Sequence, residues 1–386
     1  MVKPRIVIAG SLAQKPRQGG HTWQFLNYLL GFKQLGWDVL FVDRIEPAMC
    51  TDASDAAVKF EDSVNLEYFV HIMRAFDLAG QFSLIYNKGE QVIGVPRSEV
   101  IEYTRTAAVL INVMGFLNDT EILGAAQRRV FLDTDPGFGQ MWCDLGLANL
   151  FTGHDDYVTI AENIGQLECA IPTCGLNWIP WRQPIVLGEW PVQSGGGGAF
   201  TSIGSWRGPY APVEHRGTTY GLRVHEFRKF TALPKLTQGK FEVALDIASV
   251  ETLDIELLKS NGWSLAEPSV IAADPWVYRE YIQRSAAEFI ATKGMYVHTH
   301  SGWFSERSIC YLASGRPVLA QDTGLEKLLP TGEGLLLFST IEEAADGVAE
   351  ILGDHAAHSR AAHAIAEECF HSDKVLGNLL SKLRVA

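Results

Sequence analysis

The sequence predicts an α/β protein of two domains, each a parallel sheet flanked by helices, facing each other across a cleft. Three observations carry that prediction. Short apolar runs alternate with amphipathic helical segments in both halves, the pattern of βα units. At 386 residues the chain exceeds what one core ordinarily serves. Between Cys174 and Ala199 the composition breaks, with Pro180, Pro184 and Pro191 preceding Gly195-Gly196-Gly197-Gly198, a run that cannot pack a core. The pattern divides the chain into a first domain at 1–190, a linker at 191–198 acting as hinge, a second domain at 199–372 and a final helix within 373–386.

Arg5-Ile6-Val7-Ile8-Ala9 reads as a buried parallel strand ended by Gly10-Ser11. After a loop with Pro16, Gly19 and Gly20, a helix begins near His21-Thr22 and turns Trp23, Phe25, Leu26, Leu29 and Phe32 inward. Gly36 stops it before the strand Val39–Asp43. This is a right-handed βαβ unit without a Gly-x-Gly-x-x-Gly turn, so a nicotinamide-dinucleotide fingerprint is absent. A helix over 65–78 follows, with strands at 82–86, 107–113 and 130–133. Ligands of open parallel sheets lie beyond the carboxyl ends of the strands, which puts Asp119, Asp133 and Asp135 at the crevice edge. Each serves equally well as a turn or capping carboxylate. The second half repeats the scheme: strands at 199–203 and 241–245, helices at 222–232 and 274–289, then later helices at 341–352, 356–370 and 375–383.

The composition, 47% hydrophobic and 20% charged, is that of a globular protein. A formal charge of −13 argues against nucleic acid and anionic membrane as partners. No apolar run is long enough to span a membrane, and the N-terminus reads as a strand, not a signal peptide. Six cysteines without a Cys-x-x-Cys pair suit a reducing cytoplasm and free thiols, with Cys169 and Cys174 near enough in sequence to raise the question of a bridge. His355, His358 and His363 read as a solvated helix face; no metal site and no cofactor are expected.

The stretch Tyr296–Gly324 concentrates the chemistry. A strand at Met295-Tyr296-Val297 is expected to run into the polar turn His298-Thr299-His300-Ser301-Gly302, followed by a helix over 305–313 and a strand at 318–320. Amide N–H groups at a helix start attract anions, and small or hydroxylated residues let a phosphate approach them. Ser301, Gly302, Ser305 and Ser308 meet that need, with His300, Arg307 or Arg207 to neutralise the charge. Ser301 or Ser305 also serves as an ordinary helix cap.

Thr299-His300-Ser301-Gly302-Trp303-Phe304-Ser305 resembles the Thr-His-Cys-Gly-Trp-Asn-Ser segment of nucleotide-sugar-dependent glycosyltransferases of the GT-B fold. Ala313-Ser314-Gly315-Arg316-Pro317-Val318 is similar to their Ala-x-Gly-x-Pro-Val signature, and Gly19-Gly20-His21 and Leu35-Gly36-Trp37-Asp38-Val39 resemble their N-terminal segments. The resemblance implies two Rossmann-like domains, with a last helix crossing back to the first. It implies a uridine or thymidine diphosphate sugar as donor, bound by the second domain, and an acceptor hydroxyl held by the first. By position His300 and Ser305 would hold the diphosphate, Ser308 or Glu306 the ribose, and Asp322 with Thr323 the sugar. The paired glutamates of the retaining branch are replaced by Gly302 and Cys310. Inversion follows as the expectation, with His21 as general base, oriented by Asp119 or, as runners-up, Asp133 or Asp135. A small metabolite is the default acceptor. A retaining transferase, a nucleotide-sugar epimerase and a non-catalytic nucleotide-sugar-binding protein are the competing readings, and the oligomeric state is left open.

Overall fold

The computed structural model describes residues 3–193 and 197–385, so Gly195 and Gly196 of the expected linker lie outside the described residues. The first sheet comprises β1 (Arg5–Gly10), β2 (Asp38–Ile45), β3 (Phe82–Tyr86), β4 (Gln91–Gly94), β5 (Val109–Val113), β6 (Arg129–Asp133), β7 (Asp156–Thr159) and β8 (Trp178–Pro180). Its order is β4-β3-β2-β1-β5-β6-β7-β8, parallel except for the β3–β4 pair. Ile6 to Ala9 are buried because β1 is central and covered on both faces.

The second sheet comprises β9 (Phe200–Ser205), β12 (Phe241–Asp246), β13 (Trp263–Leu265), β14 (Ala287–Ile290), β15 (Val318–Gln321) and β16 (Leu335–Phe338), all parallel in the order β13-β12-β9-β14-β15-β16. A small hairpin, β10 (Val213–His215) with β11 (Thr218–Tyr220), projects from the connection after β9. The chain reverses direction of winding at β1 in one sheet and at β9 in the other. The two crevices opened by those switch points line a common cleft.

The first helix, α1 (Gly19–Gln34), seals the arrangement on one side. It buries Trp23, Phe25, Leu26, Leu29 and Phe32, each contributing about 1.5–3 kcal/mol. Its N-terminus docks on the second domain: the Gly19 N–H donates to the Ala272 carbonyl at 2.7 Å. A Cβ at Gly19 would lie 2.3 Å from the Asp274 carbonyl oxygen, so only glycine allows the approach. The helix Ser372–Lys382 packs on the outer side of α1, where a Cβ at Gly31 would lie 2.5 Å from Leu376 Cδ1. Trp181 Nε1 donates to the Val375 carbonyl at 3.1 Å, and Trp190 is buried against Trp23.

Two elements depart from expectation. The helix expected over 274–289 ends at Arg284, and β14 takes the residues after it. Glu288 is the reason: a carboxylate in the middle of a central strand breaks the apolar run, yet it is buried because Arg307 neutralises it. The strand expected at 295–297 is consequently displaced, and those β-prone residues form the short helix Gly294–His298. Tertiary context overrides propensity there.

Candidate active site

The cleft between the domains has a volume of about 560 Å³. Gly20, His21 and Gln24 line it from α1, and Gly204, Ser205, Asp246, Glu267, Tyr278, Glu306 and Arg307 line it from the second domain. His21 Nε2 lies 3.2 Å from the Ser11 carbonyl oxygen and 3.3 Å from Ser11 Oγ. A carbonyl only accepts, so Nε2 carries the proton and Nδ1 keeps the lone pair. Asp43 steadies this loop from the end of β2, accepting the N–H groups of Ala13 at 2.7 Å and Arg44 at 2.6 Å.

Burial, with the charge of Lys15 added, pushes the His21 imidazole down to about 3. The ring is neutral across the working pH range, so kcat/KM is expected to show no acidic limb from His21 between about pH 5 and 8. An inflection near 6.5 that disappears in His21→Gln would overturn this. The same depression makes the unfolded chain the better proton binder below about 6.5, so this residue's contribution to stability falls as pH drops from there toward 3.

Two buried guanidinium groups lie by the cleft, Arg307 among its lining residues and Arg223 over the lining residue Gly204. Arg307 is buried and paired with Glu288 at 2.6 Å, yet its Nη2 has no hydrogen-bond partner. Arg223, at the start of the helix Arg223–Phe227, lies over Gly204; a Cβ there would be 2.1 Å from its Nη1. Its Nε is likewise buried without a hydrogen-bond partner. Burial first, then the neighbouring Arg307, lowers Arg223 to about 10. Each guanidinium thus keeps one buried N–H group without a hydrogen-bond partner. The sequence pointed to Arg307 and Arg207 and not to Arg223, and Arg207 pairs with Glu251 on the surface. The β10–β11 hairpin folds Arg223 back onto the end of β9, and only that hairpin in the sequence could have signalled it.

Most residues of the Tyr296–Gly324 stretch hydrogen-bond within the turn or cap the helix that follows it. His300 adopts φ +48°, its side chain is exposed, and its carbonyl accepts from Asn163 Nδ2 at 3.1 Å. The Gly302 N–H is spent on the Thr323 carbonyl at 2.7 Å, and Ser301 Oγ accepts from the Trp303 N–H at 3.1 Å. Ser305 caps the helix Glu306–Ala313 by accepting the Arg307 N–H at 3.2 Å. Asp322 accepts the N–H groups of Gly324 and Leu325 at 2.8 and 3.0 Å, while Thr323 Oγ1 donates to the Trp303 carbonyl at 2.7 Å. Ser308 is buried with its hydroxyl unpartnered and, with Thr292 and Trp303, lines an internal void of about 10 Å³, room for one water. Of the donor residues expected here, Glu306 and Arg307 line the cleft; Ser305, Asp322 and Thr323 build the turn that aims them.

The three aspartates do not meet His21 in any hydrogen bond among the described residues. Asp119 forms a two-pronged pair with Arg97 at 2.8 and 2.9 Å and caps the helix Thr120–Ala125. Asp133 is buried, accepts from Gln140 at 2.6 Å and Thr159 at 2.9 Å, and is pushed up to about 6 by burial. Asp135 reaches across the cleft to Lys293 at 2.7 Å and to the Tyr296 hydroxyl. The hydrogen-bond partner expected from Asp119 is instead the Ser11 carbonyl. A backbone acceptor fixes the tautomer, and its pull toward the charged form is outweighed by burial.

No family model and no curated protein sequence matches the chain. Solved structures do. An alpha-glucosyltransferase in complex with UDP-glucose and DNA containing an abasic site superposes with a TM-score of 0.60 at 10% identity, covering 99% of each chain. Sucrose-phosphate synthase from Thermosynechococcus elongatus gives 0.54 at 13% identity, covering 99% of each. HepE from Anabaena in complex with UDP and glucose gives 0.55 at 13% identity, covering 98% of this chain and 99% of that one. At such identities the likeness is one of fold, and the fold is GT-B, as the motif resemblance implied. One expectation falls with it. Net charge argued against nucleic acid, and a small metabolite was the default acceptor, whereas structures of the same fold hold DNA. A net charge is a sum over the whole surface, and at physiological salt a groove is governed by charges within about 8 Å. No helix among the described residues is long and apolar enough to cross a membrane.

Proposed function

We propose that the chain is a glycosyltransferase that binds a nucleoside-diphosphate sugar in the cleft, mainly through residues 199–372, and offers it an acceptor hydroxyl from the side of residues 1–190. The observation that carries this reading is the Arg223–Arg307 pair, whose unused buried N–H groups suit a diphosphate and whose charge stabilises it as it departs. Glu306, at the start of the helix that carries Arg307, would meet the ribose hydroxyls. A thermal-shift series with nucleoside diphosphates, starting from UDP, tests it. A ligand at a hundred times its Kd adds about 2.7 kcal/mol, and Arg223→Met should remove that gain. No shift with any nucleotide would sink the reading.

In the inverting form of the reaction, Nδ1 of His21 takes the acceptor proton. The acceptor oxygen bonds to the anomeric carbon as the bond to the diphosphate oxygen breaks. A second reading is favoured by the absence of a carboxylate on His21 and by its weak basicity. There the departing diphosphate takes the proton, His21 only orients the hydroxyl, and the anomeric configuration is retained. The anomer of the product, read by proton NMR, separates the two: an inverted product is expected if His21 is the base, and a retained one excludes that role.

A further inference from the structure

Glu306 lines the cleft with one of its carboxylate oxygens already engaged from the other domain. Gln183 Nε2 donates to Glu306 Oε2 at 3.4 Å, and the Tyr28 hydroxyl donates to Gln183 Oε1 at 2.9 Å. This chain of bonds starts on α1, passes through the segment after β8 and ends on the first residue of the helix Glu306–Ala313. Tyr28 and Gln183 are buried, and Trp181 packs on the Tyr28 ring with centroids 5.9 Å apart.

One orientation of the Gln183 amide suits both neighbours. A carboxylate only accepts, so Nε2 faces Glu306 and Oε1 faces Tyr28. Turned over, the amide would set its carbonyl oxygen against the carboxylate, where unmatched buried polar groups are costly. The Tyr28 hydroxyl, by donating, selects the productive face. The segment bearing Gln183 is itself anchored: the Val186 N–H donates to Asn27 Oδ1 at 3.1 Å, and Arg182 Nη2 donates to the Leu328 carbonyl at 2.6 Å. Along α1, His21, Gln24 and Tyr28 stand at i, i+3 and i+7 and so share one face. His21 and Gln24 line the cleft, and Tyr28 lies about 10 Å further along the axis than His21.

We propose, on the reading of the cleft as a nucleoside-diphosphate site, that Gln183 is a positioning residue for donor binding. Held by Tyr28, it fixes Glu306 through Oε2 and leaves Oε1 for the ribose hydroxyls. The residue that sets the ribose contact thus belongs to the first domain, although the contact itself is made by the second. Ribose recognition is then complete only while the two domains stand in their present arrangement.

Calorimetric titration of the full chain with UDP and GDP, each beside its 2′,3′-dideoxy analogue, tests this. The analogues keep the base and the diphosphate and lack both ribose hydroxyls. The parent is expected to prefer the ribose form by about tenfold to a hundredfold, as hydrogen bonds to a charged group allow. Gln183→Leu should bind the dideoxy form as the parent does, with the preference reduced to about threefold or less. Tyr28→Phe, which removes only a hydroxyl, should lower the preference by about threefold, and it decides the matter if Gln183→Leu fails to fold. An undiminished preference in either variant overturns the proposal. So does equal weakening of both forms, the mark of a residue that only supports the fold. A parent that binds both forms alike overturns it and leaves the diphosphate site standing, whereas a parent that binds none of the four ligands removes that site as well.

Discussion

Alanine at His21 is expected to lower transfer about 10²–10⁴-fold while leaving nucleoside-diphosphate affinity nearly unchanged. The ring lines the cleft from α1 and bonds only to Ser11, so its loss removes the group nearest an acceptor hydroxyl without disturbing the guanidinium pair. Single-turnover rates and UDP titration measure the two quantities separately. A drop of less than about tenfold would leave His21 as an orienting group at most, and unchanged turnover would remove it from the reaction. Because the imidazole is already neutral at low pH, the residual activity should carry the same pH dependence as the parent between about pH 5 and 8.

Glu288→Gln is expected to cost about 3–5 kcal/mol of stability, read as the shift in urea unfolding midpoint. Glu288 is fully enclosed in the middle of β14 and neutralises Arg307 at 2.6 Å; without its charge a guanidinium stays buried beside Arg223. The double replacement Glu288→Leu with Arg307→Met should recover much of that stability, since two apolar groups of similar size leave no uncompensated ion. It should not recover nucleotide binding. If the double variant binds UDP like the parent, Arg307 does not hold the diphosphate.

The parts of the fold legible in the sequence were those with local causes. β1, α1 and β2 declare themselves by an apolar run, a helical stripe and Gly36; Ser305 and Pro317 bracket the motif helix in the same way. Short strands such as β7 and β13 escape notice because they hold few residues and take their place from neighbours already in the sheet. β14 was hidden for a different reason, the Glu288 charge, which makes sense only once Arg307 stands opposite. The site followed the same rule. His21 and Arg307, both named from the sequence, line the cleft, whereas Arg223 follows a hairpin that no periodicity announces. His300 and Asp322 occupy family-like positions, and the His300 carbonyl and the Asp322 carboxylate also hydrogen-bond within this region, something that residue type alone does not announce.

The helix Ser372–Lys382 lies against α1, near the other end of the chain, and the Ile185–His371 bridge stitches it to the segment leading out of the first domain. Synthesis from the N-terminus therefore leaves α1 with an uncovered flank, at Gly31 and around Trp181, until residues 372–382 have left the ribosome. The second sheet has all its strands well before that moment. The half of the molecule made first is thus the half completed last, and chains released early would carry a finished second domain beside a first one still open on one side.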